Sequence, residues 1–165
     1  DEGPISVAAH PSGSIAYALC DNWLLVLKVH HPEEGASPSF ELKELQRVQV
    51  ADLPVSKGRI ACSVDGRHVY CLLASLRRIV TLRVAEGGAL ELVPEAERNV
   101  GATQTTAALD LALAGERVLL VADESEQRIH TFRREPSTGV LEASGHVECH
   151  APCAMCVVRW PPRVA

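Results

Sequence analysis

The sequence predicts an all-β fold built from repeated four-stranded antiparallel units. The stretch 118–148 is the clearest unit, because it divides into three short β-rich runs separated by polar turns. Its first run, Val118–Ala122, is continuously apolar, which is typical of a strand buried on both faces. A fourth run, Ala107–Ala114, precedes it across Gly115. The resulting unit of about 40–50 residues has the size of a β-propeller blade.

The same pattern occurs three times along the chain. The predicted units are 5–50, 59–100 and 107–148. Their first-turn glycines, Gly13, Gly66 and Gly115, stand 53 and 49 residues apart. A further run at 152–160 matches only the start of another unit. We therefore predict a partial β-propeller with about three four-stranded antiparallel blades plus one extra strand, in a single domain covering 1–165.

The individual strands follow from apolar runs and the turns between them. In the first unit they are Ile5–Ala9, Ile15–Cys20, Trp23–Val29 and Phe40–Val50. In the second they are Ile60–Val64, His68–Leu73, Ile79–Val84 and Leu90–Val100. In the third they are Ala107–Ala114, Val118–Ala122, Arg128–Phe132 and Val140–Glu148. Asp65-Gly66 is a preferred hairpin turn. Ala107–Ala122 also contains good helix formers, but Gly115 in its middle and the match to the other units favour strands.

Composition limits the classes of function. The chain has 165 residues, of which 47% are hydrophobic and only 4% aromatic, so Val, Leu, Ala and Ile must build the core. The formal net charge is −5 and no basic block is present, which argues against nucleic-acid binding. No run of 18 apolar residues predicts a membrane span. The start at Asp1, without a methionine or an apolar leader, suggests a trimmed, processed or incomplete chain.

Six cysteines are spaced too sparsely for the disulfide framework of a small secreted domain. They are Cys20, Cys62, Cys71, Cys149, Cys153 and Cys156. Reduced thiols in an intracellular compartment are therefore the preferred interpretation, with a Cys149–Cys153 disulfide left open. Cys149, Cys153 and Cys156 are weak candidates for metal ligands, because alternation along an extended strand would scatter their sulfur atoms. We predict no metal site from them.

Several motifs resemble one known family, the lactonase seven-bladed β-propellers, which includes bacterial 6-phosphogluconolactonases and fungal carboxy-muconate lactonizing enzymes. The motifs that carry this resemblance are Gly3-Pro4, His10-Pro11-Ser12-Gly13, Ala16-Tyr17, Val64-Asp65-Gly66-Arg67, Tyr70, Val121-Ala122-Asp123, Phe132-Arg133, Pro136 and Thr138-Gly139-Val140-Leu141. The family's chains are about twice as long, and this sequence resembles their C-terminal half. The resemblance thus implies an open propeller edge, covered by other protein chains or by the missing propeller half.

The resemblance also identifies positions for a catalytic site, where arginines, a glutamate and histidines of the family surround the central channel. Arginines suit this role because they bind carboxylate or phosphate in a bidentate manner. The family's arginine and histidine after Gly-Pro correspond to Ile5 and Ser6, and two further arginines correspond to Ala74 and Ala107. Asp21 corresponds to the glutamate and is a weak catalytic candidate. With the arginines replaced, no catalytic residue is predicted.

Other polar clusters have solvated surfaces as their preferred interpretation. They are Arg77-Arg78 at a strand end, His30–Glu34 in the longest loop and Asp123–Glu126 between two strands. Arg77 and Arg78 would compensate for the lost arginines only if their loop shifted. No Gly-rich phosphate loop or nucleophile-elbow pattern is present, so the sequence predicts no cofactor and no cofactor-binding residue.

The preferred functional hypothesis is a non-catalytic scaffold or interaction subunit built on a lactonase-type propeller, and an enzyme is not favoured. The alternative is a 6-phosphogluconolactonase-like hydrolase whose remaining blades lie outside this chain. A weaker alternative is a metal or redox module at the C-terminal cysteines.

Overall fold

The chain forms three antiparallel sheets. The computed structural model describes residues 3–30, 41–101 and 109–156. The first sheet contains β1 (Ser6–Ala9), β2 (Ile15–Cys20), β3 (Trp23–His30) and β4 (Glu41–Gln49) in sequential order. The third contains β10 (Leu109–Ala114), β11 (Val118–Asp123), β12 (Arg128–Arg134) and β13 (Leu141–Glu148), also in sequential order. The predicted fold class is confirmed, whereas the assignment of 1–165 to one domain stays a prediction.

The second sheet differs from the prediction at its outer edge. It contains β5 (Gly58–Cys62), β6 (His68–Leu73), β7 (Arg78–Val84), β8 (Leu90–Leu92) and β9 (Arg98–Asn99). The prediction of one long strand over Leu90–Val100 is therefore wrong. Pro94 lacks the N–H that a continuous ladder needs, and a 3₁₀ turn at Pro94–Ala96 separates β8 from β9. Both short strands pair with β7.

The first strands of the three sheets are neighbours, since β5 packs beside both β1 and β10. This arrangement makes β1, β5 and β10 the innermost strands and places each complete sheet as one blade. We call the sheets the first, second and third blades. The two surfaces between them are called the first seam, between the first and second blades, and the second seam, between the second and third.

Each seam contains its own apolar core. Residues of the first and second blades form one core and residues of the second and third form the other. β6 explains the division, because all six of its residues are buried and alternate between the cores. Val69 and Cys71 face the first seam, whereas Tyr70 and Leu72 face the second. A central blade is thus buried on both faces.

Strand register identifies equivalent residues in the three blades. Val7, Ile60 and Leu111 occupy one such position on the innermost strands. Ile60 is 7% exposed and Leu111 is 8% exposed, because the preceding blade covers each of them. Val7 has no preceding blade in the described chain and is 61% exposed. Its exposure marks an uncovered blade face.

The described C-terminal segment, 149–156, contains no strand. Residues 157–160 of the predicted further blade lie outside the described residues, as do Ala107 and the loop segment 31–34. Within the described ranges, no helix combines the length and the apolar character required to cross a membrane.

Candidate active site

Three equivalent side chains lie near the beginning of the innermost strands, the strands that border the central channel in a closed propeller. Ser6, Arg59 and Asp110 share one register position, and we call them the channel rim. Ser6 Oγ accepts the Ile60 N–H at 3.2 Å, and Arg59 Nε donates to Asp110 Oδ1 at 3.1 Å. Asp110 Oδ2 accepts the Met155 N–H at 2.7 Å. Ser6 and Arg59 therefore reach forward to the following blade, and Asp110 reaches forward to the segment that follows the third blade.

Arg59 is the cationic group of this rim. Its side chain is 49% exposed, whereas that of Asp110 is 12% exposed. Arg59 Nε and Nη1 bond to Asp110 and to the Gly58 carbonyl, the latter at 3.2 Å. Among the described residues, Nη2 of Arg59 has no hydrogen-bond partner. The guanidinium is thus anchored on one side and open to an anion on the other. Reasoning from positions aligned with the family missed Arg59, because the packing of β5 between β1 and β10 appears only in the assembled sheets.

Residues at the other positions implied by the resemblance do not converge on a catalytic group. Ile5 is half-buried and Ala74 is buried in a 3₁₀ turn. Asp21 has a left-handed backbone with φ of 54°, and its Oδ1 accepts the Val55 N–H at 3.1 Å. The Asp21 carboxylate therefore fastens the link that enters the second blade. Ala107 lies outside the described residues.

Arg77 is not the solvated residue that the sequence suggested. Its side chain is 9% exposed and crosses the second seam. Nε donates to the Val100 carbonyl at 2.9 Å, and Nη2 donates to Asp123 and, at 3.3 Å, to Glu126. Arg78 is half-buried and pairs with Glu97 at 3.1 Å. Arg77 consequently pairs with two carboxylates of the third blade, those of Asp123 and Glu126, and does not replace a channel arginine.

The interpretation of Asp123–Glu126 as a solvated turn is wrong for Asp123 and Glu126, whereas Glu124 is exposed as predicted. Asp123 is fully buried, and the Glu126 and His130 side chains are 10% and 14% exposed. Burial disfavours the Asp123 carboxylate, but hydrogen bonds from Arg77 and Ser125 outweigh it and lower the pKa of Asp123. The local sequence is polar because it contacts Arg77 of the second blade.

A second buried network lies at the opposite end of the second seam. Arg134 is fully buried, and its Nη2 donates to both carboxylate oxygens of Asp65, at 3.1 and 3.0 Å. It also donates to His68 Nδ1 at 2.8 Å, while Nε donates to Tyr70 Oη at 2.7 Å. Burial alone would raise the Asp65 pKa, but hydrogen bonds from Ser63, the Arg67 N–H and Arg134 lower it to about 2. Burial and the Arg134 charge lower the pKa of His68.

The cysteines do not assemble a ligand cluster within the described residues. All six are free, so the Cys149–Cys153 disulfide that the sequence left open is not formed. Cys149 is half-buried, whereas Cys153 and Cys156 are exposed. Among the residues that the structure describes, the three potential metal ligands that converge are instead Asp123, Glu126 and His130.

Comparisons with known proteins place this geometry in a family. Residues 1–159 match the model of the lactonase family of 7-bladed β-propellers. A comparison with curated proteins gave no significant match. The periplasmic gluconolactonase of Pseudomonas aeruginosa is 24% identical with a TM-score of 0.74, over 97% of this chain and 44% of that one.

Two provisionally assigned 6-phosphogluconolactonases have similar structures. The Bacteroides uniformis protein is 20% identical with a TM-score of 0.73, over 93% of this chain and 43% of that one. The Bacteroides fragilis protein is 21% identical with a TM-score of 0.72, over 92% and 41%. These likenesses show the fold, and this chain spans less than half the length of each structure. The chain belongs to the lactonase family of seven-bladed β-propellers.

Proposed function

We propose that this chain forms part of a sugar-lactone hydrolase of the 6-phosphogluconolactonase type. Family membership and the names of the similar structures support this reaction class. The observation that carries the proposal is Arg59, a half-exposed guanidinium on an innermost strand of the channel. It supplies a positive group at the channel rim, whereas the arginines expected at Ile5 and Ala74 are absent.

The chemistry of a phosphorylated sugar lactone requires such a group. The substrate is an anion, and a guanidinium with free N–H donors binds phosphate or carboxylate more specifically than an ammonium does. Asp110 fixes the Arg59 side chain through Nε and leaves Nη2 for the substrate. In this proposal the base that activates the attacking water lies on blades beyond these three.

The test is lactone hydrolysis by the full-length protein. We expect hydrolysis of 6-phosphoglucono-δ-lactone above the spontaneous rate. The Arg59→Ala variant should raise KM about 10- to 100-fold, because a charge-assisted hydrogen bond to the substrate is lost. Arg83→Ala is the matched control, since Arg83 lies on β7 and pairs with Glu91 at the surface. Turnover no faster than the spontaneous reaction would remove the hydrolase proposal.

A non-catalytic interaction role is the second candidate function. The observation that favours it is the loss of family side chains at Ile5 and Ala74 together with the structural use of Asp21. A full-length protein that folds, binds no phosphorylated sugar and hydrolyses no lactone would support this role. Measurable lactone turnover that depends on Arg59 would contradict it.

We also infer that further blades, in the same or another chain, cover the outer faces of the first and third blades. Val7 is 61% exposed on one outer face. Val147 is 60% exposed and pairs with Ile129 on the other. Ile79, which is equivalent to Ile129 in the second blade, is fully buried by the third blade. The outer faces thus carry the kind of side chains that the two seams bury.

A further inference from the structure

Three potential metal ligands converge at the end of β11 and the beginning of β12. Asp123 and His130 lie on these strands, and Glu126 lies in the turn between them. His130 Nε2 is 3.4 Å from Asp123 Oδ2 and 3.3 Å from Glu126 Oε2. The three ligand atoms all lie within 4.8 Å of one another. The backbone turn thus brings one imidazole and two carboxylates to a single point.

The nitrogen of His130 is the unusual member of this group. Nε2 is buried, and within the described residues it makes no hydrogen bond although two carboxylate oxygens are close. A buried polar atom without a partner is costly, so native structures generally provide one. The Nε2 atom is directed at the carboxylates in a geometry that does not satisfy a hydrogen bond.

The separations match those around a small tetrahedral ion. Zinc binds imidazole nitrogen and carboxylate oxygen at about 2.0–2.2 Å, which sets neighbouring ligand atoms about 3.3–3.5 Å apart in a tetrahedral site. The two distances from His130 Nε2 agree with this value. Calcium prefers six to eight oxygen ligands, and a site with an imidazole does not suit it. We propose that Asp123, Glu126 and His130 bind a zinc ion at the second seam.

The surroundings of the three ligands are compatible with a cation. Asp123 Oδ1 accepts the N–H of Ser125 and of Glu126, which orients the carboxylate so that Oδ2 is directed toward His130. Arg77 Nη2 donates to this same Oδ2 atom and to Oε1 of Glu126, while Oε2 of Glu126 faces His130. Two carboxylates and one guanidinium leave a formal charge of −1, which a divalent ion reverses to +1. Arg77 then acts as an outer contact that orients the ligands.

A cavity of about 350 Å³ lies beside the turn and contacts the ligand group at Glu126. The residues that line this cavity are Glu126, Gln127, Arg128, Glu148, Cys149 and His150. Cys149 is a potential competing ligand, because thiolates bind zinc strongly. The experiment must therefore distinguish binding by nitrogen and oxygen from binding by sulfur.

Cobalt(II) is a suitable probe, because it occupies zinc sites and its absorption reports the ligand type. The full-length protein, freed of metal with a chelator, should bind one equivalent of Co²⁺ with visible d–d bands and no thiolate charge-transfer band. Zn²⁺ should displace the ion. Glu126→Gln and His130→Gln should each weaken binding by at least about tenfold. His146→Gln is the matched control, because His146 is the cross-strand neighbour of His130 outside the ligand set and should bind normally.

A second measurement keeps the proposal testable if a variant fails to fold. In the unmodified protein, Zn²⁺ should shift the imidazole nitrogen resonance of His130 in an NMR titration before those of His146 and His150. Absence of d–d bands, a thiolate charge-transfer band, binding unchanged in Glu126→Gln and His130→Gln, or a first shift at another histidine would overturn the zinc site.

Discussion

The first and second seams use the same sheet geometry but treat polar groups differently. In the first seam, polar contacts connect side chains mainly to backbone atoms. Tyr17 donates to the Gly88 carbonyl at 3.4 Å, and Gln46 exchanges two hydrogen bonds with the backbone of Leu90, at 3.0 and 2.7 Å. In the second seam, charged side chains meet each other at both ends. The difference shows that blades of one architecture can pack through side chain-to-backbone hydrogen bonds or through pairs of charged side chains.

Tyr70 makes the contrast concrete, because it occupies the position in the second blade that Tyr17 occupies in the first. Tyr70 also donates to a carbonyl of the next blade, that of Gly139, at 3.0 Å. In addition its hydroxyl accepts a hydrogen bond from Arg134. Burial raises the pKa of Tyr70 to about 12, although the Arg134 charge and its hydrogen bond oppose this shift. A buried charged network specifies one arrangement closely but becomes costly when a single partner is removed.

The largest loss of folding stability in the second seam is expected from Arg134→Met. Removal of the guanidinium leaves Asp65 and the Tyr70 hydroxyl without their charged partner, so the free energy of unfolding should fall by about 3–5 kcal/mol. Arg133→Met is the adjacent control. Arg133 is exposed and pairs with Glu142 at 2.9 Å, so its loss should cost less than about 1 kcal/mol. Chemical denaturation of both variants measures the difference, and equal losses would contradict a special role for the buried network.

A smaller loss of folding stability is expected when the pH is lowered. The folded pKa of Asp65, about 2, lies below its ordinary value near 3.9, so this carboxylate stabilises the fold above about pH 4. That contribution, about 1–2 kcal/mol at this partly solvated site, should disappear as the pH falls from 4 to 2. The lowered pKa of His68 acts in the same sense, with stability lost as the pH falls below about 6.5.

Unfolding free energies between pH 7 and 2 test this behaviour. Asp65→Asn should be less stable than the unmodified protein at neutral pH and should lose less stability between pH 4 and 2. Identical pH profiles for the two proteins would show that Asp65 does not carry the acid sensitivity.

The smallest effect on folding is expected at the outer face of the first blade. Val7→Thr preserves shape and strand propensity, so the free energy of unfolding of the unassociated protein should change by less than about 0.5 kcal/mol. If a further blade covers Val7 from another chain, burial of the hydroxyl should weaken that association about tenfold. Light scattering over a concentration series measures the association, with Val64→Thr on an exposed turn as control. Association that is present and unaffected by Val7→Thr would exclude this face.

Local sequence pattern predicted the blades well, because strands and hairpin turns are encoded by neighbours. Asp65-Gly66 forms the expected turn between β5 and β6, and the apolar run of β6 is buried on both faces. Pro94 was the exception. Its missing N–H divides a run that otherwise has the composition of a strand. The division into short strands β8 and β9 therefore results from Pro94, whose effect on backbone pairing is not visible in the pattern of apolar residues.

The polar residues were harder to predict, because their partners lie far away in sequence. Arg77 contacts Asp123 across 46 positions, and Arg134 contacts Tyr70 across 64. Each segment alone is a charged, surface-like turn or strand end, and only the packing of blades buries it. Arg59 was missed for a different reason: its role depends on β5 being an innermost strand, a property of the assembled sheets.

The contacts of the channel rim all run from an earlier to a later part of the chain. Ser6 and Arg59 each contact the blade that follows and Asp110 contacts the segment after the third blade, so one blade joins the next through two unlike surfaces. Such head-to-tail contacts can continue around a ring without a symmetric meeting point. A further blade is therefore expected to join the open edge of this chain through the same pair of unlike surfaces that forms the two seams.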